Sequence, residues 1–506
     1  MTTGDAISLF LKDEAATIRL GEDLALALKA GDCLALSGDL GAGKSSLARA
    51  ILRAMADDEG LEVPSPTFTL VQSYDLRIPI SHFDLYRLGD PAELTELGFD
   101  EALQNGICLV EWPEMAESEL PAQRIALTLE HEGSNGRRAI IRAAGALDSR
   151  IRRVLAIRDF LDGAGYPEAR RRFLTGDASL RAYEAIYPKA ENQRIILMDW
   201  PPLAEGPPVL DGKPYPKVAH LAENAYPFVA IADTLRKDGF AAPEVYKVDY
   251  NKGILLIEDL GSEGVLDAHG QPIIERYRES VACLARLHAL KFPQDIPVGK
   301  RHVHHIPDFD RTAMKMEVRL VLDWHLPWKR QGAPATEVER TEYLAIWDAL
   351  IDELATAEKN LLLRDFHSPN IIWRERESGI RKIGLIDFQD AMIGPTAYDL
   401  ASIVQDARVT IEPGLFRQLM DDYLGLRRAQ GSFDEDGFMR AWAIMSAQRN
   451  CKLAGLWVRL LQRDGKPGYL KHMPRTLSYL NVALEHETLA PLRDWCTRAG
   501  IGQSES

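Results

Sequence analysis

Cysteine is scarce in this chain. Five occur in 506 residues (Cys33, Cys108, Cys283, Cys451 and Cys496), and no two form a C-x-x-C pair. That spacing excludes a disulfide framework and a structural zinc site, and it points to a reducing compartment. Long apolar runs are also missing, so no stretch has the length of a membrane-crossing helix. The start, MTTGDAISLFLKDEAAT, lacks the basic head and extended apolar centre of a secretory signal. A cytoplasmic location without membrane attachment is the expectation. Positive charge is in deficit: 60 Lys and Arg stand against 75 Asp and Glu, a formal charge of −15. Such a balance argues against broad nucleic-acid binding by this chain alone, because phosphate recognition rests on a basic surface. If RNA is involved, a partner carries most of the contact. No internal repeat and no long low-complexity segment is present.

What is present is an ordinary globular composition, 46% hydrophobic and 27% charged, at a length that suits two or three domains. One shift in composition stands out at residues 131–155, HEGSNGRRAIIRAAGALDSRIRRVL, with its glycines and many arginines. It reads as the last strand of one domain, a turn, and the first helix of the next. The expected domains are 1–147 and 148–506, with the boundary near Leu147.

Near the start, CLAL (33–36) runs into SGDLGAGKSS (37–46), an apolar strand followed by Gly38-x-x-x-x-Gly43-Lys44-Ser45. Gly38, Gly41 and Gly43 let successive backbone N–H groups turn inward around phosphate oxygens. Lys44 reaches the β and γ phosphates, and Ser45 offers a hydroxyl to magnesium. The helix after it, SSLARAILRAM, adds its positive end. In about two chains of this length per hundred the pattern arises by chance. The strand before and the helix after make chance a poor explanation, so the loop binds ATP or GTP. A helix is expected over 16–30, ended by Gly31-Asp32, and an extended segment over VPSPTFTLVQSY (63–74) with Ser65 and Thr67 as polar handles. ISHFDLYRL (80–88) alternates like a strand and carries Asp84, and ICLVEW (107–112) is an apolar run ending in Glu111. A buried strand that ends in a carboxylate suits a second magnesium-site residue.

GDLGAGKSS, VPSPTF, HFDLYRL and EWPE, in this order, resemble the ATPase subunit of the bacterial tRNA threonylcarbamoyladenosine machinery over about residues 1–147. The resemblance implies an α/β P-loop NTPase domain in which Lys44, Ser45 and Ser46 hold nucleotide and metal. It also implies Glu111 near the metal, Asp84 as the water-orienting base and Trp112 beside the nucleotide. The implied partners are threonylcarbamoyl transferase subunits, with tRNA reached mainly through them. The family usually has threonines after the lysine; Ser45-Ser46 keeps the hydroxyl chemistry. A small-molecule kinase on the same loop is the alternative, but it needs a lid or acceptor insertion, and strands consume most of the residues beyond the loop.

Residues 361–390 read LLLRDFHSPNIIWRERESGIRKIGLIDFQD. Asp365 and Asn370 stand in a loop between apolar runs, and Asp387 follows the strand KIGLI. A bare D-x-x-x-x-N is expected about once by chance, but the full order of loop acid, amide, hairpin and strand-end carboxylate is specific. Phosphoryl transfer to a hydroxyl needs a carboxylate to accept the proton, and an amide with a second carboxylate to hold magnesium. Asp365, Asn370 and Asp387 fit those roles. Upstream, FLTGDASLRAYEAIY (173–187) places Gly176, Ala178 and Ser179 in a turn between strands, suited to covering phosphates. RIILMDW and GILLIEDLG (253–261) are further strands. In the helix QPIIERYRESVACLARLHAL, Ile274, Tyr277, Val281, Leu284 and Leu287 should face the core, with His288 structural. Asp399 in GPTAYDLASI suits a helix N-cap, a brace for the catalytic loop, or both. HVHH (302–305) reads as a polar loop rather than a metal site. WHLPW and the helices around 445–461 should form a helical lobe and acceptor pocket.

Residues from about 150 to 500 resemble the aminoglycoside phosphotransferase superfamily. GDASLRAY, LMDWPP and RDFHSPN are most similar to its cell-wall amino-sugar kinases, which phosphorylate the anomeric hydroxyl of N-acetylmuramate or N-acetylglucosamine. The implied fold is an α+β kinase-like domain with a β-rich N-lobe and helical C-lobe, using ATP and magnesium on a small amino sugar, as in peptidoglycan recycling. Two departures matter. Leu363-Arg364 stands where the antibiotic kinases carry His-Gly, and the third-strand lysine of protein kinases falls near Met198. Arg181 or Lys213 is expected to replace that lysine. The alternatives are a kinase of another hydroxyl compound, such as an aminoglycoside or amino alcohol, and an inactive kinase-like scaffold.

Overall fold

The computed structural model describes residues 5–174, 181–189, 193–202 and 206–502. Its contacts divide the chain into two compact units, Met1–Asp199 and Trp200–Ser506.

The first unit opens with β1 (Ile7–Leu11), α1 (Glu14–Ala27), β2 (Cys33–Ser37) and α2 (Lys44–Ala56). It continues with β3 (Val71–Tyr74), β4 (Ile80–Asp84), α3 (Glu93–Glu96), α4 (Phe99–Asn105), β5 (Ile107–Glu111), β6 (Ile125–Glu132) and β7 (Gly136–Arg142). Among the described residues these strands form a seven-stranded sheet in the order β1-β7-β6-β2-β5-β4-β3. β6, β2, β5 and β4 run parallel, with antiparallel strands at both edges. CLAL and ICLV are apolar on both faces because both are covered. Leu24, Leu36, Leu47, Ile51 and Leu109 pack on one side, and Phe83, Phe99, Cys108 and Val110 on the other. The helix expected over 16–30 begins earlier, because the Asp13 carboxylate caps Ala16 N at 2.8 Å, and it stops at Ala27.

α5 (Gly145–Gly163), β8 (Arg170–Leu174), β9 (Ala182–Tyr187) and β10 (Ile195–Asp199) complete this unit. Leu147 lies in the first turn of α5. Ile151 and Val154 on that helix share the core of Leu24 and Leu28. β8, β9 and β10 pair antiparallel in sequence order. Gly176 and Ser179 lie outside the described residues; β8 and β9 flank them.

The second unit begins with β11 (Pro208–Leu210), β12 (Lys213–Pro214), α6 (Tyr215–Val218), α7 (Tyr226–Lys237), β13 (Val245–Asp249) and β14 (Ile254–Glu258). Then come α8 (Ile274–His288), β15 (Asp295–Val298), β16 (His302–His305), α9 (Arg311–Val318), α10 (Leu326–Lys329) and α11 (Glu337–Glu353). β17 (Lys359–Leu362), β18 (Ile371–Trp373), β19 (Ile383–Leu385) and β20 (Met392–Pro395) precede α12 (Ala397–Val404), α13 (Pro413–Ala429), α14 (Glu435–Gln462), α15 (Met473–Leu484) and α16 (Ala490–Ala499). β17 pairs with β20 and β18 with β19, so residues 363–370 and 386–391 are the loops joining two small ladders. α14 is buried along most of its length, packing on α12 and α15. Among the described residues no helix is long and apolar enough to cross a membrane.

Two expectations need correcting here. Tyr277, Val281, Leu284 and Leu287 of α8 are buried, but Ile274 is 53% exposed, because it begins the helix before the packed face is reached. HVHH forms the strand β16 rather than a loop: His305 binds Asp295 at 2.7 Å and His302 stacks on Tyr226. His288 is structural as expected; it shares a 2.7 Å hydrogen bond with Tyr423, and burial pushes its imidazole down to about 3.

Candidate active sites

In the first unit the phosphate loop leaves β2 and enters α2 at Lys44. Gly38 and Gly43 take left-handed φ values of 137° and 108°. A Cβ at Gly38 would stand 2.3 Å from the Leu129 carbonyl, so the close approach of loop to sheet requires glycine. Lys44 is 4% exposed; its Nζ donates to the Gly38 and Asp39 carbonyls at 2.6 and 3.0 Å and sits 3.8 Å above the Trp112 ring centroid. Burial lowers its ammonium from the ordinary value, against the raising effect of Glu111, Glu114, Asp84 and Asp39.

Parallel register sets Asp84 beside Glu111 and Glu111 beside Leu36, so both acids lie at the carboxyl ends of strands bordering the loop. Ser45 Oγ donates to Glu111 Oε2 at 2.9 Å. Asp84 accepts from Thr67 Oγ1 at 2.7 Å and from Ser65 Oγ at 3.3 Å, so the two hydroxyls of the proline-bounded segment converge on it. Ser46 is the third residue of α2, and Tyr86 packs against Trp112 at 5.0 Å. Two neighbours were not anticipated. His82 binds the second oxygen of Glu111 at 2.9 Å, and Arg137 of β7 donates to the Ala42 carbonyl at 2.7 Å. His82 looks like any alternating strand residue, and Arg137 is distant in sequence; only its place in the arginine-rich stretch could have signalled it.

In the second unit Asp365, Asn370 and Asp387 come together. Asn370 Nδ2 donates to the Asp365 carbonyl at 3.0 Å and to Asp387 Oδ2 at 3.3 Å. Gln389 Nε2 holds the other Asp387 oxygen at 3.0 Å. Asp387 has φ 60°, a left-handed conformation uncommon without glycine and found at functional sites. The Asp365 carboxylate is 40% exposed. Desolvation works to raise its pKa, but the charges of Lys452, His367, Arg364 and Arg449 outweigh it and hold the group below its ordinary value. It is therefore ionised at neutral pH and able to accept a proton.

Asp399 is a brace, not an N-cap. It sits within α12, where Thr396 occupies the cap position without a side-chain bond, and its oxygens accept from Leu363 N at 2.6 Å and Arg364 N at 2.9 Å. Burial pushes its carboxyl up to about 7 against those two donors. Arg364 itself has φ 69°, which accounts for a glycine preference at this place. Its side chain is buried in an ion pair with Glu317 and donates to the Ala219 carbonyl at 2.9 Å. Met198 is 1% exposed in β10. Lys213 is exposed on β12, and Arg181 immediately precedes β9. The cluster of Glu317, Gln448 and Lys452 behind the loop had no signal in the sequence, because its members come from α9 and α14. Among the described residues no group of three or more His, Cys, Asp or Glu is arranged to hold a metal ion. Any metal here would depend on hydroxyl and amide oxygens as well as carboxylates.

A family model described as Threonylcarbamoyl adenosine biosynthesis protein TsaE matches residues 11–140, and one described as Phosphotransferase enzyme family matches residues 170–435. An N-acetylmuramate/N-acetylglucosamine kinase of Caulobacter vibrioides is 31% identical over 351 residues, which are 67% of this chain and 94% of that protein. A Pseudomonas putida protein of the same name is 29% identical over 266 residues, 52% of this chain and 74% of its own length. A tRNA threonylcarbamoyladenosine biosynthesis protein TsaE of Rickettsia felis is 42% identical over 130 residues, 26% of this chain and 75% of its own.

Proposed function

Since the chain belongs to the TsaE family in its first part and to the phosphotransferase enzyme family in its second, we propose a bifunctional enzyme. One part is the ATPase of tRNA threonylcarbamoyladenosine formation, working with threonylcarbamoyl transferase subunits that carry most of the tRNA contact. The other is a cytoplasmic kinase that transfers phosphate from ATP to the anomeric hydroxyl of N-acetylmuramate or N-acetylglucosamine, a step of peptidoglycan recycling. The division of labour falls near residue 147. The observation that carries the reading is the convergence of Asp365, Asn370 and Asp387 in a chain aligned along 94% of an amino-sugar kinase.

In the ATPase, the backbone of Gly38, Gly41 and Gly43 with Lys44 and Ser46 binds the phosphates, Trp112 lies against the nucleotide, and Asp84 orients the attacking water. In the kinase, Asp365 orients the sugar hydroxyl and takes its proton as the oxygen bonds to the γ-phosphorus and ADP departs. Each site has hard oxygen donors to offer, the Ser45 hydroxyl beside Glu111 and the Asn370 amide oxygen with the Asp387 carboxylate once the Nδ2 contact between them is released, a donor chemistry that fits magnesium. Bound there, magnesium supplies neutralisation of phosphate charge.

The test is purified full-length protein with ATP and a panel of N-acetylmuramate, N-acetylglucosamine, aminoglycosides and amino alcohols, beside complementation of a strain lacking this gene's tRNA modification. Phosphorylation confined to the amino sugars, with the modified nucleoside restored, is expected. Turnover of only the other compounds, or of none, overturns the kinase assignment.

A further inference from the structure

Arg449, in the middle of α14, is 4% exposed, and its Nη1 is enclosed without a hydrogen-bond partner. Helical spacing places it between two anchored rows. On one side Gln448 and Lys452 bind Glu317 at 2.9 and 2.8 Å, and Glu317 also pairs with Arg364, next to Asp365. On the other, Ser446 and Asn450 both donate to Gln405 Oε1 beyond α12, at 2.6 and 2.8 Å. A side chain between these rows is aimed at the catalytic loop, and its charge is felt at Asp365, His367 and Asp399. Glu317 is already shared by Arg364 and Lys452. Gln405 Nε2 and Asn450 Oδ1 are likewise enclosed and unpaired, so the surroundings of Arg449 offer donors and an acceptor together.

An unsatisfied buried donor is costly, and more so when it is charged, unless a ligand supplies the acceptor. Asn370 and Asp387 mark the phosphate side of Asp365; α14 approaches from the helical lobe, where the acceptor must lie for Asp365 to take its proton. A neutral hydroxyl could be met by a neutral amide, whereas a planar guanidinium matches a carboxylate. We infer that Arg449 is a specificity-determining residue for acidic amino sugars, its guanidinium receiving the carboxylate of the acceptor. This rests on the amino-sugar kinase reading and sharpens it: N-acetylmuramate carries such a carboxylate on its lactyl ether, and N-acetylglucosamine carries none.

The experiment is steady-state kinetics of the full-length protein on both sugars for wild type, Arg449→Gln and Arg449→Lys, with thermal unfolding of each. A hydrogen bond between charged groups corresponds to about a tenfold to hundredfold change. Arg449→Gln should therefore lower kcat/KM for N-acetylmuramate by at least about tenfold more than for N-acetylglucosamine, mainly through KM. Arg449→Lys should fall between, and it decides the matter if the glutamine variant fails to fold. An equal loss on both sugars, or an unchanged preference in the folded lysine variant, overturns the inference. A wild type that phosphorylates neither sugar instead removes the kinase reading beneath it.

Discussion

Arg171 of β8 donates to Asp23 of α1 at 2.7 Å and also grips both oxygens of Glu184 in β9, at 2.7 and 2.8 Å. Its guanidinium is completely buried, and Arg158 of α5 holds the same Asp23 through two bonds of 2.9 Å. Asp23 falls in the TsaE-family region and Arg171 in the phosphotransferase-family region. A single buried network thus spans two families within one compact unit.

Removing one partner from a buried ion pair costs about 3–5 kcal/mol, because the survivor keeps an uncompensated charge. Asp23→Ala leaves two arginines short. Calorimetry of the full-length protein should show its first unit melting roughly 6–20 °C lower. Combining Asp23→Leu with Arg158→Met, Arg171→Met and Glu184→Met, so that Glu184 is not left as an unpaired buried charge, should recover part of the loss.

Lys44→Ala removes the cation of the phosphate loop, and Glu111→Gln removes the carboxylate that Ser45 and His82 share. Both should abolish the modified nucleoside in cells depending on this gene, as read by mass spectrometry. Neither should lower sugar phosphorylation, because the two sites share no side chain. Normal nucleoside levels in the Lys44→Ala strain would contradict the ATPase assignment.

Asp365→Asn and Asp387→Asn should fail differently. The first keeps Asn370 and Asp387 and should bind ATP-magnesium while turnover falls by roughly a hundredfold to ten-thousandfold. The second takes away the carboxylate proposed to hold magnesium and should weaken nucleotide binding as well. Calorimetric titration with ATP-magnesium separates them; equal affinities would remove the distinction between base and metal ligand.

Asp399 has an opposite pH signature from that of a salt-bridged carboxylate. Its folded value of about 7 lies above the ordinary 3.8, so the native state binds the proton more tightly. Its contribution therefore favours folding most at low pH and declines as pH rises from about 4 to 7. Denaturant midpoints of wild type and Asp399→Asn should diverge over that window, the wild type losing stability relative to the variant. A constant difference between pH 4 and 8 would mean that the brace does not titrate there.

Much of the fold could be read from local patterns. CLAL and ICLV are double-faced apolar strands, and glycine spacing defines a loop within a few residues. Asp365 and Asn370 were close in sequence, Glu111 closed an apolar run, and Asp84 stood in an alternating strand. What escaped was tertiary. Arg364 meets Glu317 from 47 positions away, and His82 meets Glu111 across strand register. Asp399 suited a cap, a brace or both; the loop's backbone donors, out of sight in the sequence, decide for the brace. The partners of the α5 arginines were likewise out of sight: they bind Asp23, Asp32 and Asp199.

Arg171 also gives the history of such a chain a direction. Two reading frames can merge before any contact exists between their products, and the contact can be built afterwards. Once Arg171 lies beneath α5 with its charge answered from α1, a break in the gene between codons 147 and 170 leaves a buried cation missing one of its acids. Separation then costs the buried network one of its charges unless Arg171 is replaced as well. Fusion here works like a ratchet, and descendants should lose one activity by decay of its site sooner than by loss of its domain.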